Sequence, residues 1–224
     1  MRRASRLPPE QLAPYLIDLP DPPAPFDWPA VFGNAHPVEA EVGFGKGLFL
    51  VTSGQTRPGV NFVGVEIVRK YQLFTATRLA KRSLGNVRVA CGDGRLFLRD
   101  RVPAASLQAL HVYFPDPWWK KRHHKRRLFT DAFVAECPRV LRPGGRFHVA
   151  TDVADYAELM RELLAAQPLL RPLPPPEPGT PAHDLDYLTN FERKFRKQGL
   201  PIHRLLYERT EEASEQGVTS TPPG

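Results

Sequence analysis

The chain has 224 residues, 42% of them apolar and 25% charged, the proportions of a soluble globular domain with a substantial core rather than of a disordered or fibrous chain. No stretch approaches the ~18 apolar residues of a membrane span. The opening MRRASRLPPE has charges but no apolar run behind them, so neither a membrane anchor nor a secretory signal is expected, and the cytoplasm is the expected compartment. The formal net charge of +7 points to an acidic partner such as nucleic acid.

Residues 8–29 hold eight prolines, which predicts an extended arm lying over the surface. The organisation expected is an arm over 1–36, one folded domain over 37–210 and a flexible tail over 211–224. PVEAEV (Pro37–Val42) reads as a first strand, ending in the glycine loop Gly43-Phe44-Gly45-Lys46-Gly47 and a helical start. NFVGVE (Asn61–Glu66) is a second strand, and Arg69–Leu84 a basic amphipathic helix stopped at Gly85. VRVA (Val87–Ala90) is a third strand, followed by the turn CGDG and a short helix; LQALHVYF (Leu107–Phe114) is a fourth. Leu128–Val140 reads as a helix ended by the RPGG turn, RFHVA (Arg146–Ala150) as a fifth strand, and Asp155–Gln167 as a helix. Residues 168–181 carry seven prolines and read as a stiff loop, with a late strand at Pro201–Glu208. Cys91 and Cys137 have no metal-ligand spacing and read as reduced, buried thiols.

Strands alternating with helices imply right-handed βαβ units and a doubly wound, mostly parallel sheet, whose ligands bind at the carboxyl ends of the strands. Acids stand at each of those ends: Glu41, Glu66, Asp93, Asp116 and Asp152. Gly43 and Gly45 let a ligand approach the backbone. The dinucleotide fingerprint needs a glycine where Leu48 stands, and Glu41 would repel a pyrophosphate, so a nicotinamide cofactor is disfavoured. Glu41 suits the positive end of a ligand, Glu66 a ribose, and Asp93 the amine of an adenine. Each has a plainer reading as a helix-start or turn acid. Together the three describe S-adenosylmethionine better than NAD.

After the fourth strand comes FPDPWWKKRHHKRRL, in which every position from Lys120 to Arg127 is Lys, Arg or His. With no acid to neutralise it, this block reads as a phosphate-binding surface made of Lys120, Lys121, Arg122, Lys125, Arg126 and Arg127, with steep salt dependence. Trp118 and Trp119, being adjacent, should point apart, so at most one meets RNA. His123 and His124 have no zinc spacing, and no metal is expected. Thr189-Asn190-Phe191-Glu192 reads as a capping box, Thr and Glu standing three apart, and as a group able to face a guanine edge.

EVGFGKG, GVE, CGDG, FPDPWWKKRHHKRRL, Thr151-Asp152 and TNFE together resemble the bacterial tRNA guanine-N7 methyltransferase family, from about Val38 to Tyr207. The resemblance implies a seven-stranded class I fold and transfer of methyl from S-adenosylmethionine to guanine 46 of the tRNA variable loop. It places Glu41, Glu66, Asp93 and Asp116 at the cofactor, and Lys120, Asp152 and Thr189–Glu192 at the guanosine. Asp116 matches the family's proposed catalytic carboxylate. Where the family usually has proline this chain has Trp119, which could alter how the basic block leaves the strand. Where it often has alanine this chain has Gly94, a difference expected to matter little. Monomer and homodimer are both compatible. Two alternatives stay open at this point: methylation of an exocyclic amine by the same fold, and a non-catalytic RNA-binding module.

Overall fold

The burial of VEAEV shows how the sheet is built. In the computed structural model, which describes residues 7–19, 21–177, 179 and 187–211, all five residues of strand β2 (Val38–Val42) are buried. Alternation sends Val38, Ala40 and Val42 to one face and Glu39 and Glu41 to the other. Such a strand is central and covered on both sides, as parallel sheets require. The expected tail over 212–224 lies outside the described residues, as do residues 1–6 and 20 of the arm and 178 and 180–181 of the proline-dense loop.

In chain order the elements are α1 (Pro9–Leu12), a single 3-10 turn (Ala13–Tyr15), β1 (Leu16–Ile17), α2 (Trp28–Phe32), β2, α3 (Leu48–Thr56), β3 (Asn61–Glu66), α4 (Arg69–Ala80), β4 (Val87–Cys91), α5 (Gly94–Arg101) and β5 (Leu107–Tyr113). A 3-10 segment (Lys121–Arg126), α6 (Asp131–Val140), β6 (Leu141–Thr151), α7 (Ala154–Ala165), β7 (Leu170–Leu173), α8 (Asn190–Lys197) and β8 (His203–Arg209) follow. The sheet has eight strands in the order β1-β4-β3-β2-β5-β6-β8-β7. All pairs from β1 to β6 are parallel, and β8 is antiparallel to both β6 and β7.

Two apolar layers flank the sheet. On one face Val38, Ala40, Val42, Leu110, Val112 and Phe147 pack with residues of α2, α5, α6 and α7. On the other, Phe62, Val87, Val89 and Tyr113 pack with Leu12, Phe49, Leu50, Ala76 and Leu79 of α1, α3 and α4.

Five expectations change. The sheet has eight strands rather than seven, because Leu16–Ile17 of the arm adds β1 beside β4. The arm is therefore not simply draped. Leu12, Trp28 and Phe32 are buried, Asp27 caps α2, and the Trp28 indole donates to Ser106 Oγ at 3.1 Å. The proline-dense loop starts late, since Leu170–Leu173 pairs with β8; Pro172 is tolerated there because β7 is an edge. RPGG is not a free turn but an irregularity inside β6, where the register jumps from Leu107↔Leu141 to Ala109↔Arg146 around Gly144 at φ 72°. The helix expected from Leu128 starts at Asp131, capped by Thr130.

Candidate active site

At the end of β2 the chain turns through Gly43–Gly47 into α3. Glu66, the last residue of β3, holds that loop: its Oε2 accepts the Gly45 N–H at 2.9 Å and its Oε1 accepts the Val68 N–H at 3.0 Å. From α4, Arg78 donates to the Lys46 carbonyl at 2.6 Å. Burial first, then the Arg82 and Arg193 cations, bring the Arg78 pKa down to about 10. Gly47 sits at φ 64° as the N-cap of α3, and a Cβ there would run into the Thr75 side chain, so glycine is required twice over.

Above the loop lies a cavity of about 270 Å³ lined by Glu41, Gly43, Gly45, Tyr71, Tyr113, Phe114, Thr189, Asn190, Phe191 and Lys194, among others. Glu41 lies in its wall with 3% of its surface exposed, and its buried Oε2 has no hydrogen-bond partner among the described residues. Burial, and then the nearby Glu66 carboxylate, push its pKa up to about 8. A buried acceptor without a donor is costly to keep. A cationic N–H group entering the cavity would satisfy it. The opposite wall is aromatic: Phe114 stacks with Phe191 at 5.9 Å between centroids and packs on Phe195 at 5.5 Å. Phe191 is 53% exposed, which leaves area for a planar ligand.

β5 leads into the PDPW turn. Phe114 and Trp118, on either side of Pro115-Asp116-Pro117, have φ of 52° and 46°, left-handed values that cost non-glycine residues roughly 1–3 kcal/mol each. Three contacts hold the strained turn. Phe114 N–H donates to the Ala150 carbonyl at 2.7 Å, Arg127 Nε donates to the Pro117 carbonyl at 2.7 Å, and the Arg126 guanidinium covers the Trp118 ring at 5.1 Å. Arg127 also rests on Tyr156 at 5.0 Å. Asp116 is exposed and has no hydrogen bond or ion pair among the described residues. It lines a second, open cavity of about 340 Å³ with Trp118, Trp119, Lys120 and His123. The two indoles differ: Trp118 is half-buried and Trp119 is 69% exposed. Lys120, Arg122, Lys125 and Arg126 are exposed, Arg126 also covering Trp118, whereas the half-buried Arg127 is engaged with the turn as described. The Lys121 side chain lies outside what the structure describes.

The TNFE segment folds as a variant of the capping box, with Glu192 bonded one residue before the cap. Thr189 Oγ1 accepts the Glu192 N–H at 3.0 Å, and Glu192 Oε2 accepts the Leu188 N–H at 2.8 Å. Glu192 is 4% exposed, and its other oxygen takes the Arg204 guanidinium at 2.6 Å and lies 3.7 Å from Arg196. It therefore faces the protein, while Thr189, Asn190 and Phe191 face the cavity.

The structure thus brings Glu41, Gly43, Gly45, Thr189, Asn190 and Phe191 around one cavity, with Glu66 beneath its loop and Asp116 and Lys120 in the adjoining one. Asp93 lines neither. It caps α5 through the Arg95 N–H at 2.8 Å and pairs with the Arg95 guanidinium at 2.6 Å. The Arg95 hydrogen bond lowers its pKa, against the effect of burial. Asp152 is half-buried just after β6, outside both linings. Gly94 matters more than expected, since a Cβ there would run into Val42. No group of three potential metal ligands is found among the described residues.

Sequence reasoning missed Tyr71, Tyr113, Phe114 and Lys194 in the cavity wall, and a buried polar row under it. Glu39 pairs with Arg57 at 2.7 Å and with His111 Nε2 at 3.0 Å, and His111 Nδ1 lies 2.8 Å from the Tyr113 hydroxyl. The signal was present in VEAEV and LHVY: polar residues at alternate positions of strands covered on both faces.

Comparisons with known proteins point to one family by sequence and to one fold by structure. A family model described as "Putative methyltransferase" matches residues 35–205. A curated relative from Rhodopirellula baltica, named tRNA (guanine-N(7)-)-methyltransferase, is 46% identical over 196 residues, 84% of this chain and 72% of that protein. One of the same name from Geobacter metallireducens is 35% identical over 90% of this chain and 96% of its own length. Among solved structures, the 16S rRNA methyltransferase KamB aligns with a TM-score of 0.56 at 18% identity, covering 82% of this chain and 93% of that one. A SAM-dependent O-methyltransferase from Thermotoga maritima aligns at 0.54 and 12% identity, covering 96% of this chain and 70% of that one. At such identities these two likenesses establish the fold, the class I methyltransferase fold. With its motifs, cavity and relatives in agreement, the chain belongs to the tRNA (guanine-N7)-methyltransferase family.

Proposed function

We propose that this chain transfers the methyl group of S-adenosylmethionine to N7 of a guanosine in tRNA, guanine 46 of the variable loop. The observation that carries the reading is the unpartnered, buried Glu41 carboxyl in a cavity at the carboxyl end of the parallel sheet, where a cationic ligand is the natural partner. The names of the relatives supply the substrate class and favour this reading over exocyclic-amine methylation and over a non-catalytic RNA-binding module.

The residues fit the donor. Glu41 and the Gly43–Gly45 backbone hold its amino-acid end. Glu66, although it already accepts two N–H bonds, has further lone pairs for ribose hydroxyls. Asp93 can accept an adenine amine with the lone pairs that Arg95 leaves. When bound, the donor supplies an electrophilic methyl group on a positively charged sulfur.

Guanine N7 has an in-plane lone pair and no proton, so no general base is needed at the attacking atom. What the chain must supply is alignment, together with stabilisation of the positive charge that develops on the base. Asp116, exposed on a turn that two arginines and two strained residues hold still, is assigned the second task and helps in the first. Asn190 and Phe191 present the base, and Thr189 and Glu192 hold that segment in place. Asp152, just after β6 and outside both cavity linings, is assigned to the guanosine on the family resemblance alone. Lys120, Arg122 and Lys125 take tRNA phosphates, with Lys121 beside them in sequence, while Arg126 and Arg127 shape the turn that carries them.

The test is nucleoside mass spectrometry of tRNA after reaction with the labelled donor. N7-methylguanosine is expected from the wild type. Asp116→Ala should lose nearly all turnover yet bind tRNA within about tenfold of wild type, because phosphate contacts dominate binding. A product methylated on an exocyclic amine, or full activity in the variant, would refute the assignment.

A further inference from the structure

The buried row beneath the cavity is expensive and otherwise unexplained. Glu39, His111 and Tyr113 are each under 10% exposed, and apolar side chains would fill the same space without desolvating a charge. Glu41 stands opposite His111 across the β2–β5 pair, with Glu39 and Tyr113 two residues away on the same face. Glu39 stays ionised. Burial alone would raise its pKa, but the hydrogen bond from His111 and the Arg57 guanidinium bring it down to about 2. An ionised carboxylate only accepts, so His111 must carry its proton on Nε2 and donate to Glu39. Burial lowers the His111 pKa below its ordinary 6.5, against the pull of Glu39, so above that pH the ring is neutral and its Nδ1 is an acceptor. The Tyr113 hydroxyl must then donate its proton to Nδ1. Contacts with Phe49 and His148, at centroid distances of 4.4 and 4.9 Å, hold the imidazole in this orientation.

With its proton committed, the phenol oxygen has only lone pairs left to offer, and Tyr113 lines the cavity beside Glu41. We propose that Glu39 and His111 are positioning residues of a buried relay that presents the Tyr113 oxygen, as an acceptor, to the ammonium group of the methyl donor held at Glu41. This rests on reading the cavity as the donor site. The donor carries two cationic groups, ammonium and sulfonium, and only the ammonium has N–H bonds for an orphaned carboxyl oxygen and a phenol oxygen to accept. The relay thus selects a ligand with a free amino group rather than a bare adenosyl thioether.

Calorimetry with two ligands tests this. S-adenosylhomocysteine keeps the ammonium, and methylthioadenosine lacks the amino-acid end. Tyr113→Phe should weaken S-adenosylhomocysteine about tenfold, the usual effect of losing a hydrogen bond to a charged group, and leave methylthioadenosine unchanged. Glu39→Gln, whose amide can either donate or accept, should shift His111 from the pure Nε2–H form to a mixture of tautomers by nitrogen NMR and weaken S-adenosylhomocysteine selectively. Equal loss of both ligands in Tyr113→Phe would mean a merely structural tyrosine, and no loss of either, or an Nδ1–H histidine in the wild type, would also overturn the relay. If the wild type binds neither ligand, it is the donor-site reading that fails, and the relay's ligand with it.

Discussion

Glu41 turns burial into a pH dependence. Its folded pKa of about 8 lies above the ordinary 4.5, so the folded chain holds the extra proton between those values. Its contribution to stability is fully present below pH 4.5 and is lost as pH rises through 8. Glu41→Gln should therefore be more stable than wild type at pH 9 and nearly equal at pH 5, as urea unfolding at the two values will show. Ligand binding has a matching dependence. A cation at Glu41 expels the proton, so wild-type affinity for S-adenosylhomocysteine should fall as pH drops below 8, and the glutamine variant should bind weakly at every pH. Glu39 has the opposite sign, its pKa being about 2, so its contribution is present above 4.5 and lost as pH falls through 2. The position of Glu41 at a strand end was legible from PVEAEV. Its missing partner was not, because satisfaction depends on which donors other strands bring near.

The capping box at the start of α8 belongs to the scale of elements. Thr189 and Glu192 stand three apart in the sequence; the Thr189 half of the box forms as that spacing implies, whereas Glu192 reaches the Leu188 N–H, one residue before the cap. Thr189→Ala should cost about 1 kcal/mol of stability, read as a lower midpoint in chemical denaturation, and should weaken guanosine-dependent turnover more than tRNA affinity. The Arg204 bond to Glu192 could not be read from the motif, since it depends on how β8, the next element, folds back against α8. The PDPW turn has the same division. Its prolines announce a restricted turn, but the left-handed Phe114 and Trp118 and the Arg127 clamp arise only from packing against β6 and Tyr156.

At the scale of the molecule, the arm closes one edge of the sheet. Removing residues 1–19 would strip β1 from β4 and uncover the site of Leu12 on α4. Burying one leucine is worth roughly 1.5–3 kcal/mol, so scanning calorimetry should show a melting temperature lower by about 5–10 °C. The exposed edge of β4 should also make the shortened chain prone to association, detectable by light scattering. An unchanged melting temperature would mean that the arm contributes little.

Periodicity and punctuation in the sequence determined the alternating strands and helices, the parallel sheet, the acids at its rim and the basic block beside them. These are local properties: the side-chain period of a strand is 2, glycine loops end strands, and clustered cations show wherever they fold. Tertiary structure alone decided that the arm supplies an eighth strand, that Arg126 and Arg127 hold a turn, and that Glu192 faces inward. It alone joined Glu39 to His111 and Tyr113 under the cavity. Those outcomes depend on which groups the fold brings together, some of them, such as Glu39 and His111, on strands far apart in sequence, and a hydrogen bond forms only where donor and acceptor come within about 3 Å.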